Sequence, residues 1–461
     1  MAKIGLVWLR RNLRLEDNYV IMNALQNCDK VVLAFVFDAN ILKNFPNAKD
    51  RRLSFIANAL EHIDLRLKQY ASNLLVLHGD PAEQITEAAK RIKADYVYAD
   101  QDFEPSSLDR DNLVKEKLRY NKIEFVTILD HLIFPHNKIL NASRQPYKVY
   151  TPYMKAFRSI FSHEDYKEYN YELKGRLLEY KGEHFDKKEI LRKSGYEYIE
   201  DKIWHPKKAD SVLAEFVRNN LKNYHDSRNN LYQNGTSQIS PYLRFGIISI
   251  RKCFRIALDI ETNPAWVNEL IWREFYSYIL FHFPETENLE FQTKYRNKIE
   301  WSKDDRYFEG FINGRTGFPL IDAAVNELIL TGWMHNRARM IVASFFTKNL
   351  FLDWRLGEKF FSEYLMDYDL ASNIGGWQWA ASVGTDAQPY FRIFNPISQT
   401  VKFDPEGIYI KKYLPILKDV DIQHISDGDL IAKNYKIYYP SPIIDYKSSR
   451  AKAISYFSSI K

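Results

Sequence analysis

Residues 74–100 read LLVLHGDPAEQITEAAKRIKADYVYAD, and their punctuation decides the fold. LLVLH (74–78) and YVYAD (96–100) are short apolar runs rich in Leu, Val and Tyr, the pattern of strands covered on both faces. Between them Asp80-Pro81-Ala82-Glu83 starts a helix: Asp80 caps, Pro81 takes the first turn, and Glu83 reaches back to the cap. The same alternation runs through the first 130 residues. IGLVW (4–8), VVLAFVF (31–37) and FVTIL (125–129) read as further strands. Arg51–Tyr70 reads as an amphipathic helix, with Leu53, Ile56, Leu60, Ile63 and Leu67 at steps of three and four. Strands alternating with helices imply a mainly parallel, doubly wound, Rossmann-like sheet over residues 1–130. No G-x-G-x-x-G follows the first strand, so a dinucleotide in the usual position is not supported.

Outward from this domain the pattern changes. Residues 131–204 lose periodicity and are dominated by Tyr, Lys and Glu, which reads as a long surface connector, ordered mainly at Pro146–Phe157. From 205 to 461 helical patterns take over, at Asp210–Lys222, Trp266–Phe281, Ile321–Thr331 and Asn336–Asn349. The fold class is therefore α/β plus all-α. A length of 461 residues, 46% hydrophobic and 27% charged, fits two or three globular domains and excludes a disordered chain. No apolar run reaches the ~18–20 residues of a membrane span. The N-terminal MAKIGLVWLRR does not read as a signal peptide, so the triplets at Asn141 and Asn234 are chance rather than glycosylation sites. Two cysteines, Cys28 and Cys253, exclude a disulfide framework and a cysteine zinc site, and fit a cytoplasmic protein. The net charge of +6 lies wholly beyond residue 130, because residues 1–130 balance 19 basic against 19 acidic groups. Any polyanion should bind the C-terminal part.

Four segments carry chemistry. Thr236-Ser237-Gln238-Ile239-Ser240, after Gly235 and ahead of Pro241-Tyr242, offers hydroxyl and backbone donors to a phosphate at a helix start; simple capping also accounts for it. In Trp266–Tyr276, Glu269, Trp272, Arg273 and Tyr276 fall on one helix side, which suits a planar heteroaromatic ligand or a packed helix with an ion pair. Thr331–Met340 starts a helix on which Asn336 and Met340 stack, while Arg337 and Arg339 point elsewhere, one toward a phosphate and the other inward. Lone His335 reads as structural, and without a second histidine at ligand spacing a metal site is rejected. Asp367–Ala380 packs two acids, an amide, the pair Gly375-Gly376 and Trp377-Gln378-Trp379 into one stretch, with glycines that admit a flat ligand.

Together and in this order, these segments resemble the cryptochrome/photolyase family, and within it the bacterial class I cyclobutane pyrimidine dimer (CPD) photolyases. The resemblance runs from Trp8-Leu9-Arg10-Arg11-Asn12-Leu13-Arg14-Leu15-Glu16-Asp17-Asn18 to Asn395-Pro396 and Phe403-Asp404. It implies FAD, active as FADH⁻, inside the helical domain. Tyr224 and Thr236 through Ser240 would line its phosphates and ribityl chain, and Glu269 and Arg273 the rim between adenine and substrate. Arg339 would pair with Asp367 beside the ring, with Tyr368 and Asp369 also at the cofactor and Asn373 facing flavin N5. Trp377, Trp354 and Trp301 match the family's electron-carrying tryptophans, from flavin to surface. Trp272 and Trp379 match the indoles that flank a flipped-out dimer, and Asn336 and Met340 also match the CPD type. Arg337, Arg392 and Gln399 are candidates for DNA contacts. In the implied reaction light excites FADH⁻, an electron passes to the dimer, the cyclobutane ring splits and the electron returns, with Glu269 stabilising the radical anion.

The resemblance departs in one place. The folate-binding type carries an Asn-Glu pair where Phe103-Glu104-Pro105-Ser106-Ser107 puts serines, so a second, light-harvesting chromophore is left without an identity. The leading expectation is a carbon–carbon lyase repairing UV-damaged DNA, as a cytoplasmic monomer with no membrane and no obligate protein partner. A blue-light photoreceptor of the same fold is the first alternative, disfavoured because the chain ends at Lys461, soon after the family core. The second is a flavin-containing nucleic-acid-binding protein without photochemistry, against which the three matched tryptophans argue.

Overall fold

The computed structural model describes residues 2–180, 185–259 and 264–460. The chain divides into two compact units. The first comprises Met1–Pro146, Met154–Asn219 and Ser237–Phe281; the second comprises Tyr147–Tyr153, Asn220–Thr236 and His282–Lys461.

The first unit is built on five parallel strands: β1 (Ile4–Trp8), β2 (Lys30–Asp38), β3 (Leu75–Gly79), β4 (Tyr96–Asp100) and β5 (Glu124–Ile128). Their order is β3-β2-β1-β4-β5, so the chain reverses direction across the sheet between β1 and β4. Each expected strand is present to within one residue. Alternate side chains explain why the runs are apolar throughout. Val7, Val31, Leu33 and Phe35 belong to one core, while Leu6, Trp8, Val32 and Ala34 belong to another on the opposite face. Helices α1 (Tyr19–Asn27), α2 (Arg51–Lys68), α3 (Pro81–Arg91) and α4 (Pro105–Tyr120) make the crossovers. Asp80 caps α3 by accepting from the N–H groups of Ala82 and Glu83. Glu83 does not follow the expectation: its carboxylate pairs with Lys117 of α4. A lysine offers it a full charge, which the Asp80 backbone N–H does not.

The motif Trp8–Asn18 anchors later chain onto this sheet. Leu13 N–H donates to the Phe245 carbonyl at 3.0 Å, and Gly246, at φ 64°, lies so close to the Arg11 carbonyl that a Cβ would stand 1.9 Å from it. Only glycine fits. Beside it, Asp130 accepts from Arg14 (2.5 Å) and Arg251 (2.7 Å), and Asp17 accepts from Arg251 (3.0 Å) and Arg255 (2.9 Å). Burial would raise the Asp130 carboxyl, but the two guanidiniums outweigh it and hold it at about 2.

The connector is more ordered than Pro146–Phe157. Tyr150–Ile160 and Lys187–Lys193 are helical, Leu177 makes a parallel bridge to Val31, and Tyr169 stacks on Tyr19 at 4.4 Å. Its aromatics supply this order through tertiary contacts that carry no helical or strand period. Residues 181–184 of it lie outside the described residues.

In the second unit the elements that matter here are α5 (Pro319–Thr331), α6 (Asn336–Ser344), α7 (Trp354–Tyr364) and α8 (Leu370–Ala381). The two units do not follow the divisions at 130 and 205. Those divisions mark where strands stop and helices take over, whereas the units reflect which segments pack together.

Candidate functional site

In the first unit the helix Pro264–His282 carries the segment around Trp272. Glu269, Trp272, Arg273 and Tyr276 are all half-buried, while Leu270, Ile271, Glu274 and Phe275 are buried. The four expected residues therefore form one stripe along the helix. Trp272 and Tyr276 rings lie 5.4 Å apart, one turn on from each other. Arg273 donates to the His131 carbonyl at 2.7 Å, which fixes its guanidinium. Next to it stands a residue the sequence did not single out. Both oxygens of Glu274 accept from the Ile133 N–H, at 3.0 and 3.2 Å. Burial, opposed by Arg273, pushes this carboxyl up to about 7. Ser237, Gln238 and Ser240 are half-buried and Ile239 buried; Gln238 is held in the left-handed region at φ 51°, a strained state that ordinary capping does not need.

In the second unit, Tyr224 is buried and Thr236 half-buried. Arg339 and Asp367 form a two-pronged ion pair, Nη2 reaching the two carboxylate oxygens at 3.1 and 2.8 Å, and Arg339 Nε donates to the Met334 carbonyl at 2.8 Å. Asp369 caps α8, accepting from Ser372 N–H at 3.0 Å. Along α8 the half-buried residues are Leu370 at its start and then Ser372, Gly375, Gly376 and Trp379, the last four a stripe of small groups ending in an indole. A Cβ built on Gly376 meets nothing within 4 Å, so the space beside it is open to the close approach of a flat group. Asn373, one turn along, is 8% exposed and donates to Glu358, whose carboxylate also accepts from the Tyr368 hydroxyl.

On α6, Asn336 is exposed and Met340 half-buried, their side chains 3.8 Å apart on one face as expected. Arg337 differs from the expectation that one of its arginine pair turns outward. Its guanidinium donates to Asn229 Oδ1 at 2.6 and 3.2 Å and lies 4.7 Å over the Phe403 ring, so both arginines of this helix are held by the protein. The aromatic face and the amide offset part of the cost of burying it, a cost that lowers its pKa. Arg392 is exposed and Gln399 half-buried, its Oε1 buried without a hydrogen bond. His335 caps α6, accepting from Arg337 N–H at 3.1 Å; burial, then the Arg337 and Arg339 charges, lower it to about 4, so it is neutral and structural.

Trp377 and Trp354 are 2% and 1% exposed, and Trp301 is half-buried. All three pack into a single core of this unit. Trp377 meets Phe361 and Phe346 edge-on at 4.9 and 5.4 Å, and Trp301 lies 5.4 Å from Phe351. The Trp377 ring seats against Gly357, one turn after Trp354 on α7.

Comparison with known proteins agrees with these features. Residues 5–170 match the DNA photolyase family and residues 266–459 match the FAD binding domain of DNA photolyase. The chain is 34% identical to a deoxyribodipyrimidine photo-lyase of Synechococcus sp., over 100% of this chain and 98% of the relative. The chain belongs to the photolyase/cryptochrome family. Among solved structures, a bacterial class III photolyase from Agrobacterium tumefaciens superposes with a TM-score of 0.88 at 28% identity, over 100% of this chain and 98% of the other. An archaeal photolyase from Sulfolobus tokodaii, solved with two FAD molecules, gives 0.86 at 30% identity, over 99% of this chain and 100% of the other.

The residues of this photolyase-family chain fit a flavin. The open space at Gly376, the amide of Asn373 and the paired Arg339 and Asp367 all fall inside the FAD-binding match. The crevice at the reversal between β1 and β4, where α/β sheets commonly take ligands, is different. There Asp111 pairs with Arg10 at 2.6 Å and Arg110 at 3.0 Å, and both guanidiniums lie on Trp8, at 4.6 and 5.2 Å. Arg11 pairs with Glu104 and Asp102. These charges are matched side chain to side chain.

Proposed function

We propose that this protein is a light-dependent lyase that splits cyclobutane pyrimidine dimers in UV-damaged DNA. The observation that carries the proposal is the α8 stripe: small residues leave open space at Gly376, one turn from Asn373, and the stripe ends at the half-buried indole of Trp379. Reduced FAD, when bound, supplies the electron that light frees for the dimer. The protein binds and orients. Arg339, Asp367, Tyr368, Asp369 and Asn373 hold the flavin, together with Tyr224, Thr236 through Ser240, Glu269 and Arg273. Trp272 and Trp379 flank the extruded bases with flat apolar faces, and Asn336 and Met340 complete their surroundings. Glu269 hydrogen-bonds the dimer where negative charge develops. Exposed Arg392 meets phosphate, while Arg337, already engaged with Asn229, contributes through the field of its charge.

In domain terms, residues 1–130 are the α/β domain, 131–204 the connector and 205–461 the helical FAD- and DNA-binding domain. The protein works in the cytoplasm as a monomer without an obligate protein partner. A blue-light receptor role is the second reading; Trp272 and Trp379, which match the family's dimer-flanking indoles, favour repair over it.

The test is repair of UV-irradiated oligo(dT) by the reduced protein without oxygen, followed in near-UV light by recovery of thymine absorbance near ~260 nm against a dark control. Light-dependent recovery that is lost in the Trp272→Ala/Trp379→Ala double variant supports the proposal. No recovery with FAD bound and photoreducible refutes it in favour of the receptor.

A further inference from the structure

Trp354, at the start of α7, differs from Trp377 and Trp301 in what meets its indole nitrogen. Its Nε1 donates to Glu290 Oε1 at 3.3 Å. Among the described residues no hydrogen bond reaches the indole nitrogen of Trp377 or Trp301, whose ring neighbours are phenylalanines. Glu290 is as deeply buried as Trp354, so water does not screen this contact. The same Oε1 accepts from Arg355 Nη2 at 3.0 Å, while Oε2 is buried with no hydrogen bond. A buried carboxylate oxygen left unpaired is costly, and a neutral acceptor would have spared that cost. Nor does Arg355 require Glu290. Its guanidinium already pairs with Asp353 at 3.0 Å and donates to the Asn288 carbonyl at 2.8 Å. Arg355 also lies 4.6 Å over the Trp354 ring, where its charge opposes that of Glu290. It is about a third exposed and shared with Asp353, however, so solvent and a second carboxylate weaken it. The net charge felt by the Trp354 indole is negative.

We propose that Glu290 is a positioning residue for electron transfer: its buried carboxylate favours positive charge on Trp354 and so draws an electron vacancy from Trp377 to the middle of the path. The inference rests on the reading of Trp377, Trp354 and Trp301 as an electron path to bound FAD. One electron moves in each step. The electron that Trp377 first loses goes to bound FAD under light. Trp354 then gives one electron to Trp377, which is restored, and is left as a cation radical. Trp301 gives one to Trp354, and an added thiol gives one to Trp301 and its proton to solvent. An oxidised indole carries part of its charge at the N–H, where a hydrogen bond to a carboxylate strengthens as the charge appears. Glu290 therefore acts at the branch where the vacancy either moves outward or is refilled from the cofactor.

The experiment follows tryptophan cation radicals by transient absorption in the FAD-loaded protein and in its Glu290→Gln, Glu290→Met and Trp354→Phe variants. Glu290→Gln keeps the size and an accepting oxygen but removes the charge. Quenching of the excited cofactor, which Trp377 sets, should stay within about twofold of wild type. The yield of long-lived tryptophan radical should fall about tenfold, a fraction of what a full charge at about 4 Å supplies inside a protein. Altered packing would change both, and a loss of both overturns the inference. So does a wild-type yield in Glu290→Gln, because the hydrogen bond and not the charge would then be what Glu290 provides. Glu290→Met leaves no buried oxygen unpaired and decides in the same way if Glu290→Gln does not fold. A wild-type yield in Trp354→Phe overturns the electron path itself. In the flavin-free protein, ultraviolet resonance Raman difference spectra against Trp354→Phe read the indole hydrogen bond directly. A free N–H at Trp354 there overturns the contact on which the inference stands.

Discussion

Replacing Gly357 by alanine sets two effects of known size against each other. Gly357 lies inside α7, where helix propensity favours alanine by about 0.8–1.0 kcal/mol. Packing opposes it. An added Cβ would stand 2.2, 2.3 and 2.7 Å from Cη2, Cζ3 and Cζ2 of Trp377. Carbon atoms rest at about 3.5–4.0 Å, so the indole has to withdraw by about 1 Å or more. It has little room, being 2% exposed and wedged edge-on between Phe361 and Phe346. Overpacking of this kind costs about 1–3 kcal/mol and more when the neighbour is rigid. With so rigid a neighbour the cost is about 2–3 kcal/mol, and packing wins by about 1–2 kcal/mol net. For a unit of roughly 200 residues that lowers Tm by about 2–8 °C. The assay is thermal unfolding by circular dichroism, with FAD saturation checked separately so that loss of ligand is not read as loss of packing. An unchanged or higher Tm in Gly357→Ala would refute the reasoning, because the propensity gain would then have gone unopposed.

Lys348 is buried, donates to Ser382 Oγ at 2.6 Å and has only desolvation acting on it, which lowers it to about 7. With a folded value below the unfolded 10.5, its contribution to stability is full above about pH 10.5 and is lost as pH falls through about 7; Lys348→Met should abolish this slope in Tm measured between those limits. Glu274 works in the opposite sense. Raised from 4.5 to about 7, it contributes stability below about pH 4.5 that disappears as pH rises through 7, so wild type should lose up to about 3 kcal/mol across that range relative to Glu274→Gln, read from denaturant midpoints. Trp301→Phe keeps an aromatic ring against Phe351 and should cost less than about 1.5 kcal/mol. It should nonetheless slow photoreduction of bound flavin at least about tenfold in transient absorption; an unaffected rate would remove Trp301 from the electron path.

The sheet was legible because its strands are apolar on both faces, and that leaves a run in the sequence that needs no partner to recognise. The α8 segment was legible as a cluster, Asn373, Gly375, Gly376, Trp377 and Trp379 in one short stretch, but not as a helix face. Interactions between elements were not legible. Gly357 reads as a weak point in a helix until the Trp377 ring is found against it. Lys348 looks like any surface lysine in an amphipathic run, yet it is 1% exposed because Phe345–Asn349 winds more loosely than an α-helix and turns the side chain inward. Glu83 and Arg337 show the same limit from the other side, since both have plausible local roles that a partner distant in sequence pre-empts.

Asn373 brings these limits to a single atom. Its position on α8 is set by local sequence. Which end of its amide faces outward is not. An amide is donor and acceptor at once, and a motif containing asparagine is compatible with opposite demands on a ligand. The choice is made by Glu358, fifteen positions away on another helix, through a backbone carbonyl that no side-chain substitution can alter and a carboxylate that one can.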